Sequence, residues 1–175
     1  SDLNPAIQEG LIIRSDGHFS FTHDRIQEAG YALIPQSELS QTHLEIGRTL
    51  QGDSTVDDLE EGLFDIVGHL NAGREFIDTD SEKIELARLN LKAGQKAKDA
   101  SAYADAKEYI EIGLDLLDPD SWQEQYELIL SLYTEDGELA YLNGQFDQIP
   151  ATAALIHANA RTALDRIQIH MTQIE

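Results

Sequence analysis

The period of apolar and polar positions changes along the chain. Residues 3–10 read as the end of a helix. Leu11-Ile12-Ile13-Arg14 and His18-Phe19-Ser20-Phe21, joined by Ser15-Asp16-Gly17, then read as a β-hairpin. Asp-Gly between two short β-prone runs is a strong turn signal, because glycine takes positive φ without cost. After the hairpin the period becomes helical. Ile26, Ala29, Gly30, Leu33 and Ile34 follow i, i+3, i+4 spacing in a helix opened by Thr22 or His23 and ended by Pro35. A second helix, over 36–51, puts Leu39, His43, Ile46, Gly47 and Leu50 on one stripe. A third, over 56–71, has Leu59, Leu63, Ile66, Val67 and Leu70 inside and Asp57, Asp58, Glu60 and Glu61 in its first turns, where the helix macrodipole favours anions.

From Ser81 the pattern predicts long paired helices over 81–99, 101–118, 120–143, 145–160 and 161–175. Ala87, Leu91, Gly94 and Lys98 lie along one side of the first, and Ala102, Ala106, Tyr109, Ile110, Gly113 and Leu117 along one side of the second. Facing small residues let two antiparallel helices approach closely, with Tyr103 and Tyr109 filling the edges. Trp122, Tyr126, Ile129, Leu130 and Tyr133 give the next helix a broad apolar face, and Asn143-Gly144 ends it as a C′ glycine would. A tetratricopeptide-type repeat has small residues near its positions 8 and 20, an aromatic in the turn and a proline near its end. With Ala106 at the second small position, Gly94 falls at the first, Tyr103 in the turn and Pro119 near the end. Ile149 as a second anchor places Gly137 at the first position and Gly144-Gln145-Phe146-Asp147 at the turn. The anchors Ala106 and Ile149 are wider apart than the 34-residue period, so the repeats are degenerate, with a lengthened helix at 120–143. An ordinary helical bundle could also carry small residues at these places. Ile167, Ile169, Met171 and Ile174 belong to a last single helix, so the array is expected to stop part-way.

Composition narrows the class. The 175 residues hold 12 Lys and Arg against 33 Asp and Glu, a net charge of −21, which argues against nucleic acid as a partner. With 41% hydrophobic residues the chain can bury a core despite that charge. No cysteine is present, which excludes disulfides and thiolate chemistry and fits a reducing compartment. No apolar run reaches the roughly 18–20 residues that span a bilayer, so no membrane insertion and a cytoplasmic location are expected. The charge is uneven: −4 over 1–50, −8 over 51–80, −2 over 81–118 and −7 over 119–175. The 81–118 hairpin is thus the least repulsive surface for a protein partner.

Little in the sequence suggests catalysis. GxxxxGK[ST], GxGxxG, HExxH, GxSxG, DFG and calcium-loop patterns are all missing, so no catalytic residue is assigned. The six histidines, at 18, 23, 43, 69, 157 and 170, never stand four apart, and no metal site is assigned. Paired acids such as Asp57-Asp58 fit a solvated helix face better than acid-base machinery in so acidic a chain. Arg88, Lys92 and Lys96 form the only basic row, either a surface for an acidic segment or nucleotide, or partners for Glu85, Asp99 and a neighbouring acidic helix. With Tyr103 and Tyr109 they make the candidate partner surface.

The run Phe19-Ser20-Phe21-Thr22-His23-Asp24-Arg25-Ile26, continued through Ala29-Gly30-Tyr31-Ala32-Leu33-Ile34-Pro35, is the most specific stretch. It resembles the end of the winged-helix domain in the STAND class of signal-transduction ATPases, in particular the large predicted-ATPase or multi-sensor multi-kinase proteins of bacteria. The resemblance extends through His43-Leu44-Glu45-Ile46-Gly47-Arg48, Leu63-Phe64-Asp65-Ile66-Val67, His69-Leu70-Asn71, Leu89-Asn90-Leu91, Ala93-Gly94 and Ser121-Trp122, to about residue 145. Gly30 departs from it, standing where alanine is usual. The resemblance implies a piece of a longer chain, with a P-loop ATPase core and often a protein kinase upstream, and more repeats, sensor and histidine kinase modules downstream. It implies that His23 senses bound ADP with Asp24 supporting it, an imidazole being able to donate to a phosphate oxygen near a helix N-terminus. Both residues would otherwise simply cap their helix.

The expected fold is therefore all-α with one short N-terminal β-hairpin, followed by tetratricopeptide-like helical hairpins in a superhelix. The divisions are 1–52 as the C-terminal part of a winged helix, 53–80 as a connecting helix and 81–175 as repeats. The expected role is a non-catalytic regulatory and protein-interaction segment, coupling a signal or partner to ATPase and kinase modules. Its partners would be other domains of the same chain and a further protein, with a homodimer left open. No cofactor is expected in this segment, and ATP or ADP with magnesium in the parent protein follows from the resemblance alone. A free-standing helical-repeat scaffold and, further off, a hydrolase using acidic residues are the competing readings.

Overall fold

The computed structural model describes residues 3–15, 18–53 and 56–166. The chain divides into two compact units, Ser1–Ser40 and Gln41–Glu175.

The first unit opens with α1 (Asn4–Gln8), which ends in a left-handed Gly10 with φ +70°. Strands β1 (Ile12–Ser15) and β2 (His18–Phe21) pair antiparallel, Ile12 opposite Phe21 and Arg14 opposite Phe19. The turn residues Asp16 and Gly17 lie outside the described residues. The Thr22 hydroxyl donates to the carbonyls of Gly10 and Leu11, at 2.8 and 3.2 Å, and so closes the base of the hairpin. Helix α2 (Asp24–Ala32) follows. It ends before Leu33, which the helical spacing puts on the inner stripe but which is 85% exposed, because it lies beyond the helix.

Among its described residues the regular elements of the second unit are all helices. It contains the greater part of α3 (Gln36–Asp53), then α4 (Val56–Glu61), α5 (Leu63–Ala72), α6 (Asp80–Asp99), α7 (Tyr103–Asp115), α8 (Tyr126–Leu142) and α9 (Ile149–Asn159). Each of the last five packs on the next in sequence, and α6 on α7 is the most extensive pair. That is the architecture of successive helical hairpins, and the fold class is the one expected.

Three expected helices are corrected. The 56–71 helix breaks at Gly62, since glycine is the weakest ordinary helix former and the chain restarts there. The 120–143 helix is a 3-10 turn at Pro119–Gln123 and then α8, with the Asp118 side chain accepting from the Asp120 amide at 2.8 Å. The 145–160 helix starts only at Ile149. Residues 163–166 are helical, and the rest of the 161–175 helix, including Ile167 to Ile174, lies outside the described residues.

The hairpin turns are set by local chemistry. After α8 the amides of Gly144 and Gln145 bond back to Tyr141 and Ala140, with Gly144 at φ +71°, the expected C′ glycine. After α6 the same pattern is made by Ser101, at φ +63°, and Ala102. The Thr79 hydroxyl opens α6 by accepting from the Glu82 amide.

The core is layered. Leu44, Ile66, Val67, Leu70 and Leu86 form a layer between α3, α5 and α6, and Ala87, Ala97, Ala106, Ile110, Leu132 and Leu139 one between α6, α7 and α8. On α3 Gly47 of the expected stripe is buried and Leu39, His43 and Ile46 are half-buried, while Leu44 beside them is buried and Leu50 is 39% exposed. The missing side chain of Gly47 lets Leu70 of α5 approach, and Leu44 joins Leu70 in the same core layer.

Candidate partner-binding groove

The groove sits on α6. This helix has apolar positions on two sides, because it packs on α5 and on α7. Leu89 belongs to the α5 side, and its exposed neighbours Lys92 and Lys96 stand beside it at the rim. Leu59 of α4 and Leu63 of α5 complete an apolar floor, and Gln51 of α3 and Glu60 of α4 form the opposite wall. The result is a concavity of about 520 Å³ with Glu85 and Asp99 at its margins.

Its basic residues differ in their partners. The Lys96 ammonium donates to the Glu60 carbonyl and lies 5.5 Å from the centroid of the Phe64 ring. Phe64 stacks in turn on Tyr109 of α7, the centroids 5.8 Å apart, and burial pushes the Tyr109 phenol above its ordinary pKa. Lys92 makes no ion pair or hydrogen bond among the described residues. In a chain with nearly three acids to each base, that leaves an exposed cation beside an apolar floor. Arg48 of α3 ties the wall to α6 by donating to both carboxylate oxygens of Glu82, at 2.7 and 2.8 Å, which holds that carboxyl below its usual range.

The expected partner surface is thus divided. Lys92 and Lys96 are brought together, and Tyr109 joins them through Phe64. Arg88 points to Gln125, donating at 3.1 Å, and Tyr103 packs in the layer against α8. Among the described residues none of the three bases pairs with Glu85 or Asp99, while Lys96 does reach the neighbouring acidic helix α4 through the Glu60 carbonyl. His23 occupies the N-cap position of α2 with extended backbone, is exposed and makes no side-chain capping bond. Asp24 sits in the first turn of that helix.

Three polar arrangements were not legible in the sequence. His43 and His69 meet with their Nδ1 atoms 2.8 Å apart, and burial first, then His43, lowers the His69 pKa against the opposing pull of Asp65. Asn71 and Asn90 exchange amide hydrogen bonds of 2.8 and 2.9 Å inside the core. Lys107 donates to Asp136 Oδ1 at 2.5 Å, and Thr152 donates to Oδ2 at 2.9 Å. The available signal was a polar residue at a buried helical position, as Asn90 is between Leu86 and Ala93. Among the described residues no group of three or more potential ligands could hold a metal ion, and no helix is long and apolar enough to cross a membrane.

Comparison with known proteins gives one informative match. The chain is 30% identical over 168 residues to "Hybrid signal transduction histidine kinase G" of Dictyostelium discoideum, covering 82% of this chain and 5% of that protein. No family model matches the chain, and no solved structure matches it. The similarity relates the chain to a small segment of a signal-transduction kinase.

Proposed function

We propose that this chain is a non-catalytic regulatory and protein-interaction segment of a cytoplasmic signal-transduction ATPase/kinase. The supporting observation is the groove on α6, an apolar floor flanked by Lys92 and Lys96, in a chain similar over most of its length to part of a signal-transduction histidine kinase. A helical or extended partner segment would lay apolar anchors on Leu59, Leu63 and Leu89 and set a carboxylate against Lys92. Binding there biases linked modules only if the partner contacts differ between their two states.

The STAND resemblance supplies the finer part of the reading. The hairpin and α2 would be the tail of a winged helix, and a P-loop core elsewhere in the parent chain would hold ATP or ADP with magnesium. His23, exposed at the start of α2, suits the role of donor to a phosphate oxygen of that nucleotide, with Asp24 beside it. No covalent step is assigned to this segment.

The test uses the full-length protein. Removing residues 81–175, and separately making Lys92→Glu, are each expected to lower the response of ATP turnover and kinase activity to the partner by about tenfold or more. An unchanged response in both overturns the regulatory reading. A reading frame with no GxxxxGK[ST] motif upstream overturns the ATPase part and leaves a helical-repeat scaffold.

A further inference from the structure

A second concavity, sharing no lining residue with the groove, lies where α7 ends and α8 begins. It measures about 300 Å³. Leu114, Leu117 and Ile129 make its apolar surface, Trp122 and Tyr133 its aromatic wall, and Asp115 and Asp118 its only charged lining residues. The two rings are stacked with centroids 5.5 Å apart and planes 3° from parallel, which makes that wall rigid.

Three features concentrate negative potential there. Asp115 is the last residue of α7, whose final turn contains no base, so its carboxylate sits at the helix end where the macrodipole disfavours it. It is exposed and has no hydrogen bond or ion pair among the described residues, although on its other side it lines a hollow that also holds Arg74 and Lys83. Asp118 spends Oδ1 on the Asp120 amide and leaves Oδ2 available. No Lys or Arg lines the hollow, and the chain as a whole carries −21. An apolar hollow with carboxylates at its edge matches a cation on an aliphatic stem, which lays its methylenes on Leu114, Leu117 and Ile129 and its head on the acids.

We propose that this hollow receives an arginine side chain from a basic segment of a partner protein. Its volume is at the lower limit of ligand sites, suited to one side chain rather than a larger molecule. A planar guanidinium can stack on aromatic rings and reach two carboxylates, which an ammonium does less well. The charge of the chain steers a basic segment towards it. The partner engaged here is of opposite charge preference to the carboxylate-bearing segment proposed for the groove, so the two sites stand or fall separately.

Trp122 is the only tryptophan in the chain and reports directly on the hollow. The probe is a hexa-arginine peptide titrated into the intact chain while Trp122 emission is followed. The expected result is a saturable change that Asp115→Asn with Asp118→Asn weakens by about tenfold or more, while Glu108→Gln, an exposed acid outside the hollow, changes it less than about twofold. Asparagine at 118 keeps the cap for Asp120, so folding is preserved. The proposal is overturned by no saturable change, by equal losses in the two variants, by magnesium chloride alone reproducing the signal, by hexa-lysine binding as tightly, or by free arginine amide binding as tightly as the peptide.

Discussion

A methyl group added to Gly94 would lie 2.7 Å from Cδ1 and 2.9 Å from Cγ1 of Ile110, and 3.2 Å from the Ala106 carbonyl. That approach locks α6 against α7 at the small-residue pair Gly94 and Ala106. Ile110 is fully buried and has little room to rotate away. Gly94→Ala gains up to about 1 kcal/mol of helix propensity but meets an overpacking cost of about 1–3 kcal/mol, so net destabilisation is expected. Gly68, in the middle of α5 with nothing within 4 Å of its added Cβ, is the control. Gly68→Ala is expected to stabilise by about 0.5–1 kcal/mol. Urea midpoints of the two variants should move in opposite directions.

Lys107 and Asp136 are 5% and 8% exposed, and each compensates the other's charge. Lys107→Met leaves Asp136 with only the Thr152 hydroxyl and the remaining surroundings, at an expected cost of about 3–5 kcal/mol. Lys107→Met with Asp136→Leu removes both charges and should recover most of that loss. Equal stability of the single and double variants would contradict the pairing.

The lowered pKa of His69 gives stability a slope on the acid side of neutrality. Its folded-state pKa lies below the ordinary 6.5, so the unfolded chain takes up the proton first as pH falls. The contribution is complete above pH 6.5 and is lost as pH falls through the folded value. Urea midpoints should therefore drop as pH falls below about 6.5, and His69→Asn should flatten that drop. A variant with the same slope as the parent would refute it.

Asp165 is held well below the carboxylate range, at about 2 against 3.8, by bonds from the Thr162 hydroxyl, the Tyr126 phenol and the amides of Thr162 and Arg161. Its sign is opposite in proton terms to a buried acid: the stabilisation is present above pH 3.8 and is lost as pH falls towards 2. A carboxyl-carbon NMR titration should find Asp165 still ionised at pH 3, where exposed acids are largely protonated. Thr162→Ala should raise its pKa; a midpoint near 3.8 in the parent chain would rule out this network.

Legibility followed locality. The Gly94–Ala106 approach and the Gly144 turn were readable, because spacing within a helix and a C′ glycine are signals carried by neighbouring residues. Ser101 was not, since serine in the left-handed region has no glycine to announce it. Lys92 and Lys96 were readable as a basic row, but the floor at Leu59 and Leu63 and the opposite wall at Gln51 and Glu60 come from much earlier in the chain. His43 and His69 are 26 residues apart, and nothing in either helix names the other.

The sequence by itself determined the hairpin, the helices that follow it among the described residues and the small-residue face that pairs α6 with α7, because each depends on backbone preferences and a period of 2 or 3.6. Tertiary structure alone decided that Leu44 rather than Leu50 is buried on α3, that Arg88 and Tyr103 left the basic row's surface, and that Asp115 and Asp118 met Trp122 and Tyr133 at one hollow. Those outcomes depend on close packing between helices, where one missing side chain, as at Gly47, lets a side chain of the neighbouring helix fill its place.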